Sequence, residues 1–426
     1  MANVRLAIPK DRLLSINISK PIQPANIMKK KAFLLMIISI LWLPMEAVND
    51  MRGEEVTKTS EVVDQSSTLL KFRILSDSTA AVNKDESYKM LQSVTIPAKV
   101  RIDDRVYAVT SIGHETFAGC EGLTDIELPS TLTYIGMSAF SSCIGLKKIT
   151  IPSRVTTIEE YAFSNCKGLT SINIPASVAK IGNTTFLMCK ELSSINVAVD
   201  NPYFTNEGGI LYDHQKTTII CVPCQTKGIV TLPSSVTSIR DHCFFECEEL
   251  AGIKLPESIT RIEDYAFKGC KKLKSIEIPT SVTEIGYGAF TGCESLTDVK
   301  IPTSVTSIAS EAFSWCVSLK SIKIPTSVTS ISTGAFMGCV NLKEINIPSG
   351  VTSIEPYTFD GCKSLSRLEL SANVTKVKGW AFRGCNDLTL VIDQAEGHID
   401  FAPYVLLDCK SVEYTKGELP RVKPEP

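Results

Sequence analysis

The stretch Ser275-Ile-Glu-Ile-Pro-Thr-Ser-Val-Thr-Glu-Ile-Gly-Tyr-Gly-Ala-Phe-Thr-Gly-Cys293 recurs as Ser321-Ile-Lys-Ile-Pro-Thr-Ser-Val-Thr-Ser-Ile-Ser-Thr-Gly-Ala-Phe-Met-Gly-Cys339. The underlying period is 23 residues: Phe117, Phe140, Phe163 and Phe186 keep it, and so do Phe244, Phe267, Phe290, Phe313, Phe336, Phe359 and Phe382. A cysteine follows three residues after each phenylalanine. One period is too short to bury a core alone, so the copies must stack, each covering the apolar face of the last. The expected fold is a mostly β solenoid, a leucine-rich-repeat-like superhelix of 23-residue coils with short strands and few or no long helices.

Each copy has four parts. In Leu319-Lys-Ser-Ile-Lys-Ile-Pro325, Ile322 and Ile324 alternate with Ser321 and Lys323, which is the period of a strand. Proline closes it, because it has no N–H to give to a ladder. A second short alternation follows in Ser-Val-Thr-x-Ile, then a turn, often with glycine, then the bend Ala-Phe-x-x-Cys. The twelve cysteines of the repeat position, including Cys409, are expected as free buried thiols. A ladder of inward, parallel side chains aims its sulfurs poorly at one another.

The period breaks once. Phe186 and Phe244 are 58 residues apart, so one coil is twelve residues longer than the others. It lies near 198–228, and Ile210–Tyr212 with Thr218–Cys221 read as a hairpin closed by Asp213-His-Gln-Lys216. Tyr203, Phe204 and Tyr212 make this coil a second candidate site. Upstream, residues 69–112 read as capping hairpins and a first coil, with the solenoid proper over 113–409. Residues 410–426 read as a disordered tail and 48–68 as a linker.

Lys29-Lys-Lys31 followed by the apolar run 32–43 has the plan of a secretory signal, with cleavage near Ala47. Twelve apolar residues rise only about 18 Å as a helix, too short to span a bilayer. Residues 1–47 are therefore taken as an upstream extension plus signal peptide. They hold seven Lys/Arg against two Asp/Glu; the rest of the chain holds 37 basic and 44 acidic residues. That mildly acidic balance argues against a nucleic-acid binder, which would need a basic stripe.

The unit Leu-x-x-Ile-x-Ile-Pro-x-x-Val-Thr-x-Ile-x-x-x-Ala-Phe-x-x-Cys closely resembles the BspA-type class of leucine-rich repeats. The resemblance runs from about Leu69 to Cys409. The enlarged coil, with Phe204, Ile210-Leu-Tyr212 and Thr218-Ile-Ile-Cys-Val-Pro223, is similar to a variant unit of that family. The resemblance implies a secreted or surface-attached protein, of a kind that includes adhesins for host matrix proteins, plasma proteins or other microbes.

No catalytic signature is present: there is no Gly-x-Ser-x-Gly, His-Glu-x-x-His or phosphate loop. Cys221-Val-Pro-Cys224 has no second cysteine pair to complete a zinc site, and Cys221, Cys224 and Cys243 are left as unpaired thiols or a local disulfide. His114 and His242, on the bends before Phe117 and Phe244, read as solvated turn residues. The chain is expected to have no catalytic, cofactor or metal site. What varies from copy to copy is the outward side of the repeat strand. Lys148, Thr150, Asn173, Asn196, Lys254, Glu277, Lys300, Lys323, Asn346 and Glu369 form the expected ligand strip, continuous on one face. The leading reading is a scaffold or adhesin for a protein or glycoprotein on a host or microbial surface. Two alternatives are a self-associating envelope component and a noncatalytic glycan-binding module. The last would be favoured by aromatic residues in a row on the exposed face, and the sequence shows no such row.

Overall fold

The computed structural model describes residues 70–393 and 398–415. The signal segment, the linker and residues 416–426 lie outside the described residues. The described chain is a β-solenoid of about 13 coils with roughly 23 residues per turn. Its one helical segment is the short 3-10 turn Glu86–Met90.

Most coils carry two short strands, and most of these pair in parallel with the copy one coil away. Ser275–Glu277 pairs with Asp298–Lys300 in the register Ser275↔Asp298, Ile276↔Val299 and Glu277↔Lys300. The second position pairs likewise, Ser307–Ile308 with Ser330–Ile331. The 23-residue spacing is thus the register itself. The isoleucines point into the core and the serine, lysine and glutamate positions outward, as strand alternation requires. Between the strands the proline carbonyl accepts the N–H three residues on, as in Val282 N to Pro279 O at 3.0 Å and Val305 N to Pro302 O at 3.1 Å.

The Phe–Cys bend closes the coil. The rings form a nearly parallel stack, with centroids 5.4 Å apart for Phe267–Phe290, 5.3 Å for Phe290–Phe313 and 5.7 Å for Phe313–Phe336. Phe313 N donates to Ala335 O of the next coil at 2.9 Å. Its carbonyl accepts Cys316 N at 3.3 Å and Cys339 Sγ, one coil further on, at 3.1 Å. The same sulfur bond recurs at Cys143, Cys166, Cys189, Cys270, Cys293, Cys316, Cys362 and Cys385. This gives the cysteine column its physical reason. The side chain must be small and apolar enough to sit in a core, yet carry a donor for a buried carbonyl. All fifteen cysteines are free thiols, and burial pushes the Cys339 thiol up to about 12.

To turn so tightly, the residues two before and two after each phenylalanine take left-handed backbone angles. Around Phe336 these are Gly334 (φ 63°) and Gly338 (φ 74°); around Phe313 they are Glu311 (φ 56°) and Trp315 (φ 58°). Glycine meets this demand without strain, and other residues do so at a cost.

The first coil is closed by two antiparallel pairs, Phe72–Ile74 with Thr79–Val82 and Lys99–Ile102 with Arg105–Ile112. The enlarged coil holds three strands where a hairpin of two is expected. Phe204–Glu207 pairs antiparallel with Ile210–Asp213, which pairs antiparallel with Thr218–Cys221. The first turn is Gly208-Gly209, both at positive φ, the geometry of a two-residue hairpin. This meander divides the interior into two hydrophobic cores. Leu211 and Ile220 face the core that runs back to Leu70; Ile210, Tyr212 and Ile219 face the core that runs on to Val405. At the far end, Ser411–Tyr414, expected within a disordered tail, is a strand paired with Thr389–Ile392. The alternation in Val412 and Tyr414 extends the ladder by one rung and covers the last apolar face.

Phe313 is fully buried between two rings. Phe313→Ala is expected to lower stability by about 3–5 kcal/mol, the usual cost of truncating a buried aromatic. Since each coil touches only its neighbours, hydrogen exchange should rise first between about residues 290 and 336. A melt unchanged from wild type would contradict the stacked placement.

Candidate functional site

The ten outward positions of the strand face are exposed as a set. Lys254, Glu277 and Lys300 are adjacent in register, and Lys323 bridges to Lys300. Two lysines side by side repel one another, and the lysines of this column have no ion-pair partner among the described residues. The column therefore presents net positive charge, relieved only by Glu277 at its centre.

Several of the ten positions are less free than the pattern suggests, Asn346 and Glu369 among them. Asn346 turns its amide onto the neighbouring coil: Oδ1 accepts Ile324 N and Nδ2 donates to Ile324 O, both at 2.8 Å. It stands in for a missing strand partner. Glu369 accepts Arg367 Nη2 at 3.2 Å, and the same arginine reaches Glu413 at 3.3 Å. Lys148 and Thr150 flank the buried Ile149 as expected, but their segment is irregular rather than a strand.

The strip is not continuous. Asn173 and Asn196 belong to a two-stranded ladder, Ser171–Ile174 with Ser194–Val197, and are joined by Asn196 Nδ2 to Asn173 Oδ1 at 3.0 Å. The meander then meets the strand face: Ile195 N donates to Gly209 O, and Val197 N donates to Asn206 Oδ1, each at 3.0 Å. The backbone groups that would have continued the ladder are used up, and it restarts at Gly228–Thr231. The result is two patches. Thr150, Asn173 and Asn196 line a groove of about 260 Å³ with Ile151, Ile174 and Pro175. The charged column from Lys254 to Lys323 stands beyond the meander.

Of the enlarged-coil aromatics, Phe204 and Tyr212 are buried and only Tyr203 is exposed. Cys221, Cys224 and Cys243 line a cavity of about 20 Å³, room for one water. Among the described residues no cluster of three His, Cys, Asp or Glu is placed to hold a metal ion.

Aromatic side chains do gather on another face. The left-handed positions of the phenylalanine bend include Tyr161, Tyr265, Trp315, Tyr357, Trp380 and Tyr404. Trp315, Trp380 and Tyr404 are 46%, 52% and 76% exposed. The strand-face reading missed them because they sit in the bend, two residues from the phenylalanine or, for Tyr404, from Leu406 in its place.

Residues 110–207, 224–336 and 285–413 match the family model of the BspA type leucine rich repeat region, in six copies. The chain belongs to the BspA-type leucine-rich-repeat family. Among solved structures it is similar to a leucine-rich repeat protein from Eubacterium ventriosum: 24% identity, 75% of this chain and 93% of that one covered, TM-score 0.61. It is also similar to the pneumococcal vaccine antigen PcpA: 21% identity, 85% and 100% covered, TM-score 0.56. At these identities the likeness shows the fold. No curated protein matches the chain. The family is typically surface-associated and non-enzymatic, and leucine-rich repeats generally bind proteins or other ligands. Among the described residues no helix is long and apolar enough to cross a membrane.

His242 is not a solvated turn residue, whereas His114 is exposed. The His242 ring packs 4.8 Å from Tyr265 and 5.5 Å from Phe245, with Nδ1 buried and unpartnered. Burial, aided by the Lys268 ammonium, pushes its pKa down to about 4. Lys268 lies 4.6 Å over the Tyr265 ring, and burial lowers its pKa as well. The folded state thus holds His242 neutral, while the unfolded chain protonates it near 6.5. Stability tied to this group is complete above pH 6.5 and is lost as pH falls toward 4. Tyrosine fills the same left-handed position at Tyr265 and Tyr357. His242→Tyr should therefore fold normally and flatten the fall in melting temperature between pH 6.5 and 4. Parallel melting curves for the two proteins over that window would contradict the assignment.

Proposed function

We propose that this chain is an exported, noncatalytic scaffold that captures a protein or glycoprotein on a host or microbial surface, in the manner of an adhesin. Three things support the reading. The family is typically surface-associated. The basic-then-apolar stretch Lys29 to Leu43 has the plan of an export signal. The repeat holds its inward residues constant and varies its outward ones on a rigid ladder. The observation that carries the binding site is the in-register column Lys254, Glu277, Lys300 and Lys323. A row of unpaired lysines at one spacing suits an acidic surface on the partner, and its pull weakens with salt. Lys148, Thr150, Asn173 and Asn196 form a second, polar patch on the other side of the meander, and Asn346 and Glu369 follow the lysine column in chain order.

Reversing Lys254, Lys300 and Lys323 to glutamate together should weaken ligand capture by about tenfold or more at low salt, with the melting temperature little changed. Reversing Lys167, Lys271 and Lys363, on the turn after the cysteine column, serves as the control and should leave capture intact. Equal losses from both sets in a pull-down and titration would remove the strand face from consideration. Export is checked separately: the amino terminus of protein recovered from medium or cell surface should begin close after Ala47. A mature protein confined to the cytosol would overturn the reading.

A further inference from the structure

The residues that the scaffold does not need are the exposed aromatics of the phenylalanine bends. The left-handed backbone at these positions favours glycine; the fold uses it two after the phenylalanine at Gly338, Gly361 and Gly384, while two before it Gly288 and Gly334 alternate with small or polar residues such as Ser138, Thr184 and Glu311. Trp315 (φ 58°) stands two after its phenylalanine, Tyr357 (φ 59°) and Trp380 (φ 62°) two before theirs, and Tyr404 (φ 62°) two before Leu406, which replaces the phenylalanine. A bulky ring strains this conformation. The strain is not offset by burial, because Trp315, Trp380 and Tyr404 leave about half or more of their surface in water.

Three of the rings, Trp315, Tyr357 and Trp380, are nonetheless held in place. Trp315 lies flat on the next coil's glycine: a Cβ on Gly338 would come within 2.7 Å of the indole. The Arg383 guanidinium sits 5.8 Å from the Tyr357 ring and 5.7 Å from the Trp380 ring. It is pinned by the buried Asp360, with Nε to Oδ1 at 2.9 Å and Nη2 bonded to Oδ2. Preorganised rings lose little freedom when a ligand lands on them. Tyr357, Trp380 and Tyr404 stand on consecutive coils, whose spacing is that of the core stack, 5.8 Å between Phe359 and Phe382.

The patch has little net charge to offer an ionic partner. Asp360 neutralises Arg383, Glu355 neutralises Lys378 at 2.7 Å, and Asp408 takes the Gly384 N–H at 2.8 Å. What it presents is rigid aromatic faces edged by a planar guanidinium–carboxylate pair. A pyranose ring matches this: its C–H face stacks on an aromatic ring, while its rim of hydroxyls both donates and accepts hydrogen bonds. One hexose unit is comparable in length to one coil spacing. We infer that the carboxy-terminal bend face, Trp315, Tyr357, Trp380, Arg383 and Tyr404, is a binding site for a neutral, hexose-based oligosaccharide lying along the solenoid axis. This site stands apart from the strand face and does not depend on the adhesin reading.

Two of the chain's three tryptophans lie in the patch, so intrinsic fluorescence reports directly on it. The full chain is titrated with cello-, laminari- and malto-hexaose, with heparin and a proline-rich peptide as the competing chemistries. At least one neutral hexaose should shift the emission saturably, and heparin and the peptide should not. Trp380→Gly should weaken that binding at least tenfold while holding or raising the melting temperature, because glycine relieves the left-handed strain. Tyr404→Gly, at the most exposed ring, is the second variant and should behave alike. The lysine-to-glutamate triple of the strand face should bind the hexaose as wild type does. No response to any hexaose, undiminished binding by both glycine variants, or a response to heparin or the peptide alone would overturn the assignment.

Discussion

Everything in this solenoid hangs on the carbonyl oxygen of the repeat phenylalanine. It is buried, so it must be satisfied, and it has two lone pairs to satisfy. One takes the N–H of the cysteine three residues on, which makes the bend. The other takes the thiol of the next coil's cysteine, which fixes the stacking distance. The same bend lays each ring flat on its predecessor. Local turn, coil-to-coil register and core packing are thus set by one pair of residues, Phe and Cys. A strand slip of one residue would break all three at once and turn the isoleucines to solvent.

This explains what could be read before any coordinates. Phe313, Cys316, Ile322 and Ile324 recur because the physics at each is identical in every coil, and a strict period in sequence becomes a strict register in space. The parts that escaped are those where the period is silent. The strand Phe204–Glu207 occurs once, and its signal was only the Gly208-Gly209 turn. The discontinuity of the strand face follows from Asn206 and Gly209 taking up backbone groups of Ile195 and Val197, a tertiary contact without a local pattern. His242 reads as a polar turn residue by position; its burial depends on Phe245 and Tyr265, a neighbour one coil on. Asn346 reads as displayed, yet it repairs the backbone of Ile324. Of the candidate site, the composition of the outward column was legible, and which of its members were free was not.

The molecule separates its tasks by face. The core side of each strand is nearly invariant because it must fit the coils above and below. The opposite side is free to vary, and its column from Lys254 to Lys323 is held at fixed spacing by the parallel ladder. The bend face is variable for a different reason. Its left-handed positions take glycine, serine, threonine, glutamate and aromatic residues alike, so the ring stack leaves their side chains open to choice. Charge dominates the first face and aromatic surface the second, two kinds of chemistry on one rigid frame.

The three-stranded meander has a consequence for how the chain comes apart. Its alternating residues serve opposite cores, Leu211 one and Tyr212 the other, and the ring stack does not pass through it. In a one-dimensional array, cooperativity is carried by the interface between neighbours. Where the interface is a different one, the array has a domain wall. Pulled from its ends or heated, the solenoid would yield as two blocks joined by a clasp, and a coil gained or lost on one side of the clasp leaves the fit on the other untouched.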